Sequence, residues 1–364
     1  MAGAGRYIKG LISGLVQVNP NHEILILCNR DNSHVFNPLP HGFSKIGCSI
    51  LTEARLTRIV WEQTYLPRLT KRLGIDLLHS TSFVAPFLLP CRSVVSVYDT
   101  LDFSRLSRLH PKVHRYYRSV LTPRSVKKAD SIIAISESTR RDIVETFGIP
   151  EEKVAVTYLG VDHEVFRPVE DVRLKGGIKA KYGIHGDFIL YVGKIQPQKN
   201  LTTLIRAFRE LTMNAALSGY KLVISGNKGW AFDEVFATVK ALRLENEITF
   251  TGYVSEEDLP LLYSAAKLFV YPSLYEGFGI PLLEAMACGT PVITSNISSL
   301  PEVVGDAGIL VNPTDRDELA FAMQSVLKSG SLQREMKLKG LARARLFTWG
   351  ETARRTLQVY EGTS

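Results

Sequence analysis

Cysteine is scarce in this sequence. The four present, Cys28, Cys48, Cys91 and Cys288, form no CxxC pair and have no histidine pair beside them. That excludes a zinc-finger spacing and a disulfide framework, and it fits a reducing compartment. Each cysteine reads as a small buried apolar residue. Long apolar runs are missing too, and none approaches the roughly 18–20 residues needed to span a bilayer. Met1–Val18 contains Arg6, Lys9 and several glycines, without the apolar core and small-residue cleavage site of a signal peptide. There is no low-complexity segment and no short repeat. These absences point to a cytoplasmic globular protein, and 364 residues are too many for one ordinary core and suit two domains.

Acidic residues fall short in one half only. Residues 1–168 hold 22 Lys and Arg against 15 Asp and Glu, a balance of +7; the remainder holds 22 against 21, or +1, which together give the net +8. The first half therefore suits an acidic partner: a membrane surface, a phosphate-bearing acceptor or nucleic acid.

What is present is a regular alternation. Strand-like runs at 22–28, 76–80, 93–98, 131–135 and 154–159 are separated by helical patterns such as 56–73 and 111–127. A second series follows, with strands at 188–192, 221–225, 248–252, 268–271, 292–294 and 309–311 and helices such as 201–217 and 255–265. Apolar strands alternating with helices make a parallel sheet covered on both faces. Two such series predict an α/β protein of two doubly wound, Rossmann-like domains, 1–166 and 167–348, with the seam in the charged stretch near Gly160–Gly183. A doubly wound domain has a strand ahead of its first glycine turn. Here Gly3-Ala-Gly5-Arg-Tyr7 follows Met1 almost at once, so the first strand of the N-terminal domain is expected to be missing and neighbouring edges open.

Four motifs carry candidate chemistry. In Glu276-Gly277-Phe278-Gly279-Ile280-Pro281-Leu-Leu-Glu284, a strand leads into a glycine loop and Pro281 suits a first helical turn. The glycines allow close backbone approach, and the helix start offers N–H groups to a diphosphate or a sugar hydroxyl. Glu276 is placed in the loop at the strand's carboxyl end, and Glu284 one turn into the helix, where a ribose could bind. In Tyr191-Val-Gly193-Lys194-Ile-Gln-Pro-Gln-Lys199, two cations flank a turn before a helix, which suits a diphosphate leaving group. Gly3 and Gly5 could bring the first domain's backbone to the same ligand. Tyr98-Asp99 ends a strand of the first domain and could bind the sugar or acceptor; alternatively Tyr98 packs under a loop and Asp99 caps the next segment. A fifth feature, the basic run from Arg105 to Lys128 without Asp or Glu, could lie on an anionic membrane or be a solvated helix face.

With its flanks Pro272-Ser-Leu-Tyr and Ala285-Met-Ala-Cys-Gly-Thr-Pro, the Glu276–Glu284 stretch resembles glycosyltransferase family 4. Ile135–Asp142, Gly160–Asp162, Val192–Asn200, Phe250–Val254, Leu300–Val303 and Phe347–Ala353 agree in order. The resemblance implies a GT-B fold, with two domains facing a cleft and a last helix, 349–364, crossing back to complete the first. It implies sugar transfer from a nucleotide-sugar donor with retention at the anomeric carbon and no metal or other cofactor. Carried over, Glu276 contacts the donor sugar, the Gly277–Ile280 amides hold hydroxyls and phosphate, and Glu284 takes the ribose. Lys194 and Lys199 take the diphosphate, backbone near Tyr253 and Val254 meets the base, and Gly3 and Gly5 match the first-domain glycine loop. Many members have His where this chain has Tyr98, and Arg where it has Lys194, a point charge in place of a fork. Overall likeness to bacterial mannosyltransferases favours GDP-mannose, with UDP-glucose or UDP-N-acetylglucosamine, or a nucleotide-sugar epimerase, as alternatives. The expected acceptor is a glycan or lipid-linked glycan, met at the inner face of the membrane, and nucleic acid is not expected as a partner.

Overall fold

The computed structural model describes residues 3–18, 21–29, 39–48, 55–103 and 112–363. They form two compact units: unit 1 is Met1–Leu159 with Trp349–Ser364, and unit 2 is Gly160–Thr348. The division falls at Leu159 rather than at residue 166. Val161 donates its N–H to the Phe347 carbonyl at 3.2 Å, and the Phe166 ring sits 6.2 Å from that of Tyr263, so the residues after Leu159 are fastened to unit 2.

Unit 1 runs α1 (Gly3–Val18), β1 (Ile24–Asn29), β2 (Phe43–Cys48), α2 (Arg55–Val60), a π-helical stretch (Trp61–Tyr65), α3 (Leu66–Arg72), β3 (Leu77–Ser80), β4 (Arg92–Val97), α4 (Lys112–Lys128), β5 (Ser131–Ala134), α5 (Glu137–Phe147) and β6 (Val154–Val156). Every pairing is parallel, but the strands fall into two sheets, β1-β2 and β3-β4-β5-β6. Among the described residues no further strand pairs with β1 or β3, so the expected interruption is present. The interior strands are buried along most of their length, as Ser-Val-Val-Ser-Val and Ser-Ile-Ile-Ala allow, whereas β1 and β3 are half-buried.

Unit 2 follows with α6 (Val172–Lys181), β7 (Phe188–Val192), α7 (Leu201–Thr212), β8 (Lys221–Ser225), α8 (Asp233–Ala241), β9 (Ile248–Gly252), α9 (Leu259–Ala265), β10 (Leu268–Tyr271), α10 (Ile280–Ala287), β11 (Val292–Ser295), α11 (Leu300–Val304), β12 (Ile309–Val311), α12 (Arg316–Lys328) and α13 (Gly330–Ala344). Its six parallel strands form one sheet in the order β12-β11-β10-β7-β8-β9. The chain winds outward from β7 in one direction and from β10 in the other. The boundary between those two strands is the topological switch point, where open α/β sheets bind ligands beyond the strands' carboxyl ends.

The last helix, α14 (Trp349–Gly362), belongs to unit 1 and packs on α1. The buried residues of α1, Tyr7, Gly10, Leu11, Gly14 and Leu15, make a stripe at helical spacing. Two glycines in it set the approach. A Cβ on Gly10 would fall 2.1 Å from the Trp349 ring, and one on Gly14 2.1 Å from the Trp349 carbonyl oxygen. A polar chain runs beside this contact. Tyr7 Oη lies 2.9 Å from Ser96 Oγ, His79 Nε2 lies 2.7 Å from the same oxygen, and His79 Nδ1 lies 2.7 Å from Tyr360 Oη. It joins α1, β4, β3 and α14. Burial holds the His79 imidazole down at about 4 and pushes the Tyr7 phenol up to about 12, so the chain is neutral. Among the described residues no helix is long and apolar enough to cross a membrane.

Candidate active site

The loops after β7 and β10 meet at the switch point. After β7 the chain makes a tight turn at Gly193, and a 3₁₀ turn, Pro197–Lys199, delivers Asn200 as the left-handed residue (φ 57°) that starts α7. Asn200 Nδ2 then donates to the Pro272 carbonyl at 3.1 Å and the Pro313 carbonyl at 2.7 Å. Leu274 N–H donates to the Gln198 carbonyl at 2.8 Å. These bonds fix the lysine turn against the glutamate loop.

Lys199 is only 8% exposed, so its ammonium needs partners. It donates to Tyr271 Oη at 3.0 Å and is ion-paired to Glu276 Oε1. Tyr271 ends β10 and stacks on Tyr191 and Phe269, with ring centroids 5.8 Å away in each case. Burial and the nearby Glu276 carboxylate push its phenol well above the usual range, which keeps it protonated. Lys199 thus joins Tyr271 and Glu276 in one cluster. Its ammonium is nearly removed from water and is met by a carboxylate and a hydroxyl, the condition under which a buried ion pair is tolerated. The arrangement offers one cation and one carboxylate side by side at a ligand-binding edge. An incoming anion would have to compete with Glu276 for Lys199.

The nine-residue motif folds as its sequence suggests. Gly279 has φ 113°, disfavoured for any residue with a Cβ, which would also meet Leu300 Cδ2 at 3.0 Å. α10 begins at Ile280 with Pro281 in its first turn. Gly277 and Phe278 lie between Glu276 and this start, and Phe278 is buried, its ring 6.0 Å from that of Phe347. Glu284 is enclosed: it is 1% exposed, and Oε2 accepts the Tyr263 hydroxyl at 2.9 Å.

Lys194 is exposed beside the turn. Tyr253 and Val254 follow the outermost strand, β9, with Tyr253 exposed and Val254 buried. Gly3 and Gly5 lie in the first turn of α1 rather than in a loop ahead of it. In unit 1 the Tyr98 hydroxyl donates to the Thr81 carbonyl, and the ring stands edge-on to Tyr7 and Phe83 at 5.3 and 5.1 Å. Asp99 Oδ1 accepts the Leu101 N–H at 3.1 Å. Both side chains make structural contacts within unit 1. Residues 104–111 of the basic run lie outside the described residues; in its described part Arg124, Lys127 and Lys128 are exposed. Sequence reasoning missed Tyr271 and Asn200. Only Asn200 carried a signal, as a residue that tolerates the left-handed region at a helix start.

Known proteins share this organisation. Residues 178–343 match the model of glycosyl transferases group 1, and residues 1–165 that of glycosyltransferase family 4. The chain is 35% identical over 288 residues to O-antigen chain mannosyltransferase B of Escherichia coli, across 78% of this chain and 74% of that protein. This chain belongs to glycosyltransferase family 4. The family's members here include the serotype-specific mannosyltransferase WbdA of Escherichia coli, 31% identical over 275 residues; these cover 74% of this chain and 33% of that longer protein. Among solved structures, Anabaena HepE in complex with UDP-glucose superposes with a TM-score of 0.79 at 17% identity, covering 100% of this chain and 96% of that one. Sucrose-phosphate synthase from Thermosynechococcus elongatus gives 0.78 at 20%, covering 99% and 93%. These likenesses establish the GT-B fold, and the family makes the protein a glycosyltransferase.

Proposed function

We propose that this glycosyltransferase transfers mannose from GDP-mannose, with retention, to a glycan or lipid-linked acceptor. The observation that carries the reading is the buried Lys199–Glu276 ion pair, with Tyr271 beside it, at the switch point of unit 2; the mannosyltransferase relatives favour the sugar. In this reading the diphosphate displaces Glu276 as the partner of Lys199. Lys199, Lys194 and the first amides of α10 stabilise the charge that develops on the departing diphosphate. Glu276, released from the lysine, faces the donor sugar. The acceptor hydroxyl attacks the anomeric carbon from the face that the diphosphate leaves, and its proton passes to the departing phosphate oxygen. No covalent nucleophile is invoked, and the positive charge comes from lysines rather than a metal. Glu284, oriented by Tyr263, takes the ribose.

A thermal-shift panel of GDP-mannose, UDP-glucose and UDP-N-acetylglucosamine tests the donor, with the largest shift expected for GDP-mannose. Conversion of a nucleotide sugar without an acceptor would identify an epimerase instead. Lys199→Ala should weaken nucleoside diphosphate binding by about 1.5–3 kcal/mol, as for loss of a charged hydrogen bond. Glu276→Gln should lower turnover and largely spare donor affinity. Unchanged affinity of the lysine variant in calorimetry rejects the diphosphate role.

A further inference from the structure

The loop that carries Glu276 is stitched to the end of β11 and the turn after it. Thr294 Oγ1 donates to the Tyr271 carbonyl and Ser295 Oγ to the Ser273 carbonyl, each at 2.7 Å. Ser298 Oγ donates to the Glu276 carbonyl at 2.7 Å. Ser299 Oγ faces both the Glu276 and Phe278 carbonyls at 2.9 Å, sharing its one hydrogen between them. Ser298 Oγ also accepts the Glu276 N–H at 2.9 Å and the Ser299 N–H at 2.7 Å. Both backbone polar groups of Glu276 therefore close on a single hydroxyl.

Ser298 makes these bonds at φ 55°, a left-handed conformation that disfavours a side chain and suits glycine. A turn alone would be served with less strain by glycine, so what the serine adds is its hydroxyl. Strained positions of this kind persist where their surroundings over-determine them. The direction of the bonds matters as well. In a planar trans peptide the C=O and the next N–H point opposite ways. Holding the Phe278 carbonyl on Ser299 turns the Gly279 N–H away from the serine turn, the orientation required of a loop that offers amides to a ligand.

We infer that Ser298 and Ser299 are positioning residues of the donor site, whose hydroxyls hold the Glu276 backbone and the Phe278–Gly279 peptide independently of the Lys199 ion pair. When a diphosphate claims the lysine, Glu276 loses its charged partner but not its place. The carboxylate stays aimed at the sugar while the lysine is engaged elsewhere. This rests on the reading of Glu276 as a donor-site residue.

Ser298→Gly is the discriminating variant, because it keeps the left-handed turn and removes the hydroxyl together with the Cβ that the turn disfavours; Ser299→Ala is its companion in the buried position. Ser298→Gly should melt no lower than the parent protein and bind nucleoside diphosphate within about twofold of it, yet turn over at least about tenfold more slowly. Amide exchange across Glu276–Ile280 should rise about tenfold or more, with the rest of unit 2 unchanged. Ser299→Ala should show the same pattern. Parental turnover in Ser298→Gly, or slow turnover with unaltered exchange in this loop, overturns the inference. Should the parent protein turn over no nucleotide sugar, the donor-site reading fails by itself, and the exchange measurement still decides whether the hydroxyls hold the loop.

Discussion

The two units are built from the same alternation of strand and helix and are closed in different ways. In unit 2 one continuous ladder of six strands carries the structure, with β7 and β10 buried at its centre. In unit 1 the ladder is broken in two, and the strands bordering the break are half-buried. There α1 packs against α14, and the chain Tyr7–Ser96–His79–Tyr360 ties α1, β4, β3 and α14 together. The lysine–glutamate cluster stands on the unbroken sheet.

The strongest way to break this comparison is to separate α1 from α14. Gly14→Ala places a methyl where Trp349 backbone already lies and should destabilise unit 1 by about 1–3 kcal/mol or more, the usual range for overpacking. Hydrogen exchange should quicken through α1, α14 and β3 while the strands of unit 2 keep their protection. An equal loss in both units would mean that they unfold together and that the contrast has no energetic meaning.

Acid gives a gentler test. The unfolded chain protonates histidine below about 6.5, whereas His79 in the folded protein does so only near 4. Between these values the unfolded state binds more protons, so stability falls as pH falls, by up to about 1.4 kcal/mol per pH unit for this one group. Above pH 6.5 the contribution is complete. The loss should appear in unit 1, and His79→Gln should flatten it; an identical acid profile in that variant would show that the imidazole is not responsible. The smallest effect per residue concerns charge. Arg124, Lys127 and Lys128 are exposed on α4, and each basic residue near an anionic surface contributes about 1 kcal/mol. The protein should sediment with anionic vesicles at low salt and be released as salt rises. Equal binding to neutral vesicles rejects a charge-driven contact.

Much of this fold is legible in the sequence because the strands are short apolar runs between turn residues: 188–192, 221–225, 248–252 and 268–271 match their observed limits. β2 escaped notice because Phe-Ser-Lys-Ile-Gly-Cys mixes polar residues and glycine into a strand at a sheet edge. The helix expected over 56–73 is interrupted by the π-helical stretch Trp61–Tyr65, just where Pro67 has no N–H to give to Gln63. At the site, glycines and flanking charges mark Lys199 and Glu276 because they are local signals. That Lys199 also reaches Tyr271, that Tyr263 encloses Glu284 and that Ser298 grips the loop are contacts between distant residues, and no spacing reveals them. Tyr98-Asp99 shows the converse: a strand-end polar pair reads alike whether it binds a ligand or holds a turn, and its contacts with Thr81 and Leu101 emerge only in the structure.

The pairing of α1 with α14 also orders events during synthesis. The ribosome makes α1 before unit 2, and the helix that covers its apolar stripe emerges only after unit 2 has been translated. A nascent chain therefore carries Tyr7, Leu11 and Leu15 uncovered by their partner through some three hundred residues of elongation, while unit 2 has everything it needs to fold as soon as Thr348 clears the exit tunnel. Unit 1 is begun before unit 2 and completed after it.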